Sequence, residues 1–182
     1  IATKLKIVDF KPWIFEDEDF ARGLVLDVIA PKSNDTIRVY NVHLQSVGLV
    51  GGDYDAVRSG PDTEQSKKLW SRLSSAFSRR SAQAKVLRNS IDSSPYPVIL
   101  CGDFNDTPVS FALSTLRSGS PKLFDAFALA GSGLGSTYVG DIPGLRIDYM
   151  MSSSSLEAIS FETHEIELSD HRPISAIFIS NR

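Results

Sequence analysis

The chain has 182 residues, of which 42% are hydrophobic and 23% charged, the balance of a core-forming chain and not of a disordered or fibrous one. Nineteen Lys and Arg against 22 Asp and Glu give a net charge of -3, so bulk charge supplies no affinity for polyanions. The single Cys101 excludes an internal disulfide framework and a zinc ribbon, and the apolar stretch Leu24 to Ala30, broken by Asp27, is far short of the ~20 residues of a transmembrane helix.

In chain order, Arg22 to Ala30 and Thr36 to Leu44 are β-branched, partly alternating runs separated by Pro-Lys-Ser-Asn-Asp, which predicts a hairpin. Gln45 to Pro61 is glycine-rich and aperiodic, a long loop at a strand end. Asp62 can cap a helix, and Leu69, Trp70, Leu73, Ala76, Phe77, Ala84, Leu87 and Ile91 then recur at helical spacing until Pro95 and Pro97. Val98 to Cys101 reads as a short strand buried on both faces. Phe111 to Leu116 and Leu123 to Leu129 read as short helices, Gly131 to Gly135 as a loop, and Ser152 to Ser155 as a turn. Arg146 to Met151, Leu156 to Glu165 and Pro173 to Ile179 read as strands. The whole is strand-dominated with interleaved helices, and one domain over 1–182 is the expectation at this length.

Polar residues of chemical interest gather at strand ends. His43 closes Tyr40-Asn41-Val42-His43-Leu44. Asp103 and Asn105 follow Val98-Ile99-Leu100-Cys101-Gly102, where the glycine permits a close backbone approach to whatever the carboxylate serves. Asp148 lies in Arg146-Ile147-Asp148-Tyr149-Met150, and Asp170 and His171 sit on Ser169-Asp170-His171-Arg172-Pro173, before the last strand. Strand-end carboxylates with two histidines supply what metal-assisted hydrolysis needs: oxygen ligands for a hard cation and an imidazole that titrates near neutrality.

Taken together, the ordered set NVHL, GDFN, RIDYM and SDHRP resembles the endonuclease/exonuclease/phosphatase superfamily, from Arg22 to Ile179. The resemblance implies an α/β (α+β) fold, a four-layer sandwich of two packed mixed β-sheets flanked by helices, with the site at one end of the sheets. It implies that His171 is the general base or transition-state partner, held in its tautomer by Asp148. Asp170 is then a divalent-metal ligand, Asp103 and Asn105 orient the attacking water and a phosphate oxygen, and His43 donates to a non-bridging phosphate oxygen. The implied ion is Mg²⁺, with Mn²⁺ as the alternative. The implied partner is a phosphate-ester substrate, whether nucleic acid, phospholipid head group or small phosphodiester, and no protein partner is expected.

One departure is evident. The superfamily carries an Asn and a Gln-Glu pair near its amino-terminal end, and neither precedes Asn41-Val42-His43-Leu44; the glutamates there, Glu16 and Glu18, lack the apolar strand and the Gln. With a start at Ile1 in place of methionine, this leads to the expectation of a chain lacking its leading strands, binding Mg²⁺ poorly, catalytically impaired, and able to associate through exposed sheet edges. A non-catalytic binding module on the same sandwich, or a phosphomonoesterase acting on a lipid or sugar phosphate, is the alternative reading. His164 reads as a solvated surface histidine. The basic run that includes Lys67, Lys68, Arg72, Arg79, Arg80, Lys85 and Arg88 reads as a solvated helix face, and the sequons at Asn34 and Asn105 as chance.

Overall fold

The computed structural model describes residues 2–15, 23–48, 53, 64–140, 144–166 and 168–181. Strand β1 (Ile7–Trp13) pairs antiparallel with β2 (Gly23–Ile29), which forms the expected hairpin with β3 (Thr36–His43). Asn34 turns that hairpin in the left-handed region, at φ 61°, which asparagine tolerates better than most residues. Helix α1 (Glu64–Asp92) returns the chain to β4 (Val98–Asp103), which runs parallel to β3. The predicted cap at Asp62 and most of the predicted loop lie outside the described residues. Helix α2 (Phe111–Arg117) follows, capped by the Ser110 hydroxyl on the Leu113 amide.

The segment read as one helix from Leu123 to Leu129 is instead a strand and a helix, β5 (Leu123–Asp125) and α3 (Ala126–Ala130). Asp125 sets the switch, because its carboxylate accepts from the Phe127 amide at 3.1 Å as a helix cap and also receives Arg146 at 2.8 Å. Strands β6 (Asp148–Ser153), β7 (Leu156–Thr163) and β8 (Ile174–Ser180) complete the chain. Ser152 and Ser153, predicted to be turn, belong to β6. Their hydroxyls are consumed inside the fold, Ser152 donating to Leu156 O at 2.6 Å and Ser153 accepting from the Val98 amide at 3.0 Å.

Two sheets result, a mixed six-stranded one ordered β1-β2-β3-β4-β6-β5 and an antiparallel pair β7-β8. One face of the large sheet, carrying Val25, Tyr40, Val42, Leu100, Tyr149 and Met151, packs on Ala84, Leu87 and Ile91 of α1 and on Ala112, Leu113 and Leu116 of α2. Asp27, the charge inside β2, points to this face and is neutralised cross-strand by a two-pronged bond from Arg38 at 2.7 Å. On the other side, Ala158, Phe161, Ala176 and Phe178 of β7–β8 close over Ala126 and Phe127 of α3 and over Met150. The chain is thus an α/β sandwich of two sheets with helices.

Two expectations need correction. Strand β4 alternates, with Val98 and Leu100 buried and Ile99 and Cys101 only partly so, because the second sheet reaches the large one beside β6 and α3 and not over β4. The basic helix is only in part a solvated face, since Arg80 and Arg88 are 1% and 5% exposed.

Candidate active site

Sheet register builds the site. His43 is the last residue of β3, Asp103 the last of β4 and Asp148 the first of β6, and the pairings His43↔Asp103 and Asp103↔Asp148 set all three in one row at one end of the sheet. Register partners point to the same face, so an imidazole and two carboxylates converge without any loop having to aim them.

Gly102 makes this alignment possible. Its φ of +136° suits glycine, and a Cβ there would overlap the carbonyl of Val42 on β3. The close approach is that of the neighbouring strand, not of a ligand.

His171 enters the row from the turn before β8. Its Nδ1 lies 2.8 Å from Asp148 Oδ2 and its Nε2 4.0 Å from Asp103 Oδ2, while His43 Nε2 stands 3.5 Å from the same Asp103 oxygen. Thr137 and Tyr138 hold the turn. Val139 N donates to Asp170 O at 2.8 Å and Arg172 N to Thr137 O at 2.7 Å, and the Tyr138 ring meets the His171 ring edge-on at 5.6 Å. Thr137, fully buried, also accepts the Ile147 and Asp148 amides on its hydroxyl at 3.0 and 3.1 Å. One buried residue therefore sets the spacing between Asp148 and His171, and only the pairing of distant segments reveals it.

Asn105 completes the group from just past β4, at φ 49°. Its amide N–H donates to Asp103 Oδ1 at 2.8 Å, and its side-chain NH₂ donates to Asp103 Oδ2 and to Leu44 O, both at 3.1 Å. Both side-chain partners are pure acceptors, which fixes the amide's orientation by chemistry and leaves Oδ1 as its free acceptor. His43, Asp103, Asn105, Asp148, Asp170 and His171 all line one cleft of about 670 Å³, with Phe77, Arg80 and Asp106 on its wall.

Burial pushes the Asp103 carboxyl up; the Asn105 amide opposes the shift and the Asp148 charge adds to it. At His171 burial pulls the imidazole down, but the Asp148 hydrogen bond and the charges of Asp148, Asp103 and Asp170 outweigh it, so the net shift is upward. Among the described residues, Asp103, Asp148 and His171 offer ligand atoms within 4.8 Å of one another, a donor set that fits a divalent metal. Asp170 lines the cleft outside that trio.

His164 is placed elsewhere, just beyond β7, and is more engaged than a solvated histidine. Its Nε2 lies 2.8 Å from Ser175 Oγ and its Nδ1 3.6 Å from Glu162 Oε1.

A two-sheet α/β sandwich with an Asp-His pair and further carboxylates at the strand ends agrees with a phosphoesterase- or nuclease-type hydrolase, the class its sequence family comprises. The sequence profile of the endonuclease/exonuclease/phosphatase family matches residues 33–171, and the chain belongs to that family. No curated protein matches it in sequence.

Solved structures share the fold at low identity. An endonuclease/exonuclease/phosphatase from Bacteroides vulgatus superposes with a TM-score of 0.69 at 19% identity, covering 98% of this chain and 67% of that one. The mannosyl-6-phosphatase of Bacteroides thetaiotaomicron gives 0.64 at 15%, covering 97% and 67%. Truncated TDP2 of Caenorhabditis elegans gives 0.63 at 17%, covering 99% and 68%. The chain spans about two thirds of the length of these structures.

Proposed function

We propose that the protein is a divalent-cation-dependent phosphodiesterase in which water attacks phosphorus in line, with Mg²⁺ as the ion. The observation that carries this reading is the contact between Asp148 and His171 beside Asp103, in line with His43. A binding module needs no imidazole fixed by a carboxylate beside a cluster of ligand-type oxygens.

The residues divide the work by their chemistry. Asp148 accepts from His171 Nδ1–H and fixes the tautomer that leaves Nε2 facing the cleft, where it can take a proton from the attacking water. Asn105 Oδ1, turned away from Leu44 and Asp103, is an acceptor that can orient the same water. His43, half exposed at the cleft edge, can donate to a non-bridging phosphate oxygen as negative charge builds on it. Asp103 and Asp148, with Asp170 from the same cleft, would hold the metal, which when bound would act as a Lewis acid on the phosphate.

The substrate class is a phosphate diester. The test is hydrolysis of bis(4-nitrophenyl) phosphate by the full-length gene product with Mg²⁺, against 4-nitrophenyl phosphate as the monoester comparison. His171→Ala is expected to lower kcat by roughly 10²–10⁴-fold, and EDTA to abolish turnover. Faster cleavage of the monoester would assign the protein to the phosphomonoesterases. Turnover that survives both His171→Ala and EDTA would overturn the reading.

A further inference from the structure

Two buried side chains of α1, Arg80 and Gln83, reach the backbone just beyond His43. Gln83, 6% exposed, accepts from the Gln45 amide N–H at 2.9 Å. The carbonyl of that same peptide unit is Leu44 O, which receives the Asn105 side-chain NH₂ at 3.1 Å. One peptide plane thus carries both bonds: whatever holds its N–H end also aims its carbonyl end at Asn105.

Arg80 secures the two flanks. Its Nη1 donates to Gln45 O, the next carbonyl along, at 2.9 Å, and its Nε donates to Asp106 Oδ2 at 2.9 Å, one residue past Asn105. Asp106 is anchored in turn, because its carbonyl accepts from the Tyr149 hydroxyl at 2.9 Å next to Asp148. The guanidinium is 1% exposed and lies over the Phe77 ring at 4.7 Å. A charge so deeply buried is tolerable only when paired and hydrogen-bonded, so the pair fixes its neighbours' positions more than it adds stability.

We infer that Arg80 and Gln83 are positioning residues that set the orientation of the Asn105 side-chain amide, so that its Oδ1 and not its NH₂ faces the cleft. This rests on the phosphodiesterase reading for its catalytic consequence, though not for the geometry itself. Without Gln83 the Leu44–Gln45 peptide can rotate, Leu44 O leaves the Asn105 NH₂, and the amide, then held by Asp103 Oδ2 alone, can swing its Oδ1 off the position where an acceptor is needed. Displacement of about 1 Å in such a group costs on the order of a hundredfold in rate, with no direct contact to substrate lost.

The test uses Gln83→Leu, which removes the acceptor; Gln83→Glu, which keeps one; and Arg80→Lys, which keeps the buried charge but loses the two-pronged reach. All are read in the full-length gene product by two measurements. In folded Gln83→Leu and Arg80→Lys, kcat for bis(4-nitrophenyl) phosphate is expected to fall at least about tenfold with KM changed by less than about twofold. The Asn105 side-chain NH₂, expected to exchange slowly in the unsubstituted protein, is expected to exchange faster in both variants, as read by NMR. Gln83→Glu is expected to restore both. A slowly exchanging Asn105 NH₂ in folded Gln83→Leu and Arg80→Lys, or loss of activity that only tracks the unfolded fraction, overturns the inference. If the parent protein does not cleave the diester, the phosphodiesterase reading fails alone and the Asn105 resonance still decides the positioning role. If Gln83→Leu does not fold, Arg80→Lys and Gln83→Glu supply the comparison.

Discussion

His171 is where burial and charge pull in opposite directions, and the charges of Asp148, Asp103 and Asp170 prevail. In the metal-free protein its imidazole is therefore expected to titrate above the ordinary value of about 6.5, and Asp148→Asn to bring it back down, as read by NMR of the ring protons. The sign of the linkage follows. A histidine with a raised folded-state value stabilises the fold fully below about pH 6.5, and that contribution is lost as pH rises through the folded value. Thermal midpoints of the parent are expected to fall over that window by more than those of Asp148→Asn. Identical His171 titrations in the two proteins would remove Asp148 as the cause. Gly102 offers a second prediction at this scale. Because a Cβ there would meet the Val42 carbonyl, Gly102→Ala must push β3 away from β4 and break the His43–Asp103 alignment. It is expected to cost more than about 4 kcal/mol or to prevent folding, measured by urea unfolding.

Helix α1 does two jobs along its length. Leu87 and Ile91 fill the core under the sheet at 0% exposure, whereas Arg80 and Gln83, about one to three turns earlier, tie down the site. Leu87→Ala is accordingly expected to cost about 2–5 kcal/mol while leaving kcat per folded molecule unchanged, a separation visible by pairing urea unfolding with single-turnover rates. How far the elements were legible follows from similar distinctions. Strand β4 stood out as a dense apolar run, and α1 announced itself by its spacing. Strand β1 did not, because six of its seven residues are exposed and no buried face writes a pattern into Ile7 to Trp13. Asp125 reads as helix interior in the sequence because its role as a cap depends on the bond to Phe127. For the site, the strand-end residues could be named from the sequence and their grouping came from a family resemblance. That His43, Asp103 and Asp148 form one row is a matter of register, which no local pattern encodes. Thr137 acts only once its hydroxyl lies against the amides of Ile147 and Asp148, and Arg80 looked like any cation on a basic helix until its partner Asp106 was placed beside it.

For the molecule as a whole, the open edges of its two sheets are unequal. Strand β1 presents Ile7, Val8 and Phe10 to solvent, yet it carries Asp9, Lys11 and Pro12, and proline offers no N–H for pairing. Charges and proline are the devices by which edge strands resist pairing with another chain. Strand β8, Ile-Ser-Ala-Ile-Phe-Ile-Ser, has no charge and no proline, pairs among the described residues with β7 alone, and exposes Ile177 at 58% and Ile179 at 43% on its outer side. High β-propensity with no charge is the composition that adds strands between chains. The isolated 182-residue chain is therefore expected to self-associate through β8 with increasing concentration in sedimentation velocity. Ile177→Lys places a charge on that side without touching the inward-facing Ala176 and Phe178, so it is expected to yield monomer while shifting stability by no more than about 0.5 kcal/mol. A change of similar kind on β1, Phe10→Lys, is expected to leave association intact. If Ile177→Lys still associates while Phe10→Lys is monomeric, the contact lies on β1; if both still associate, it lies on neither strand.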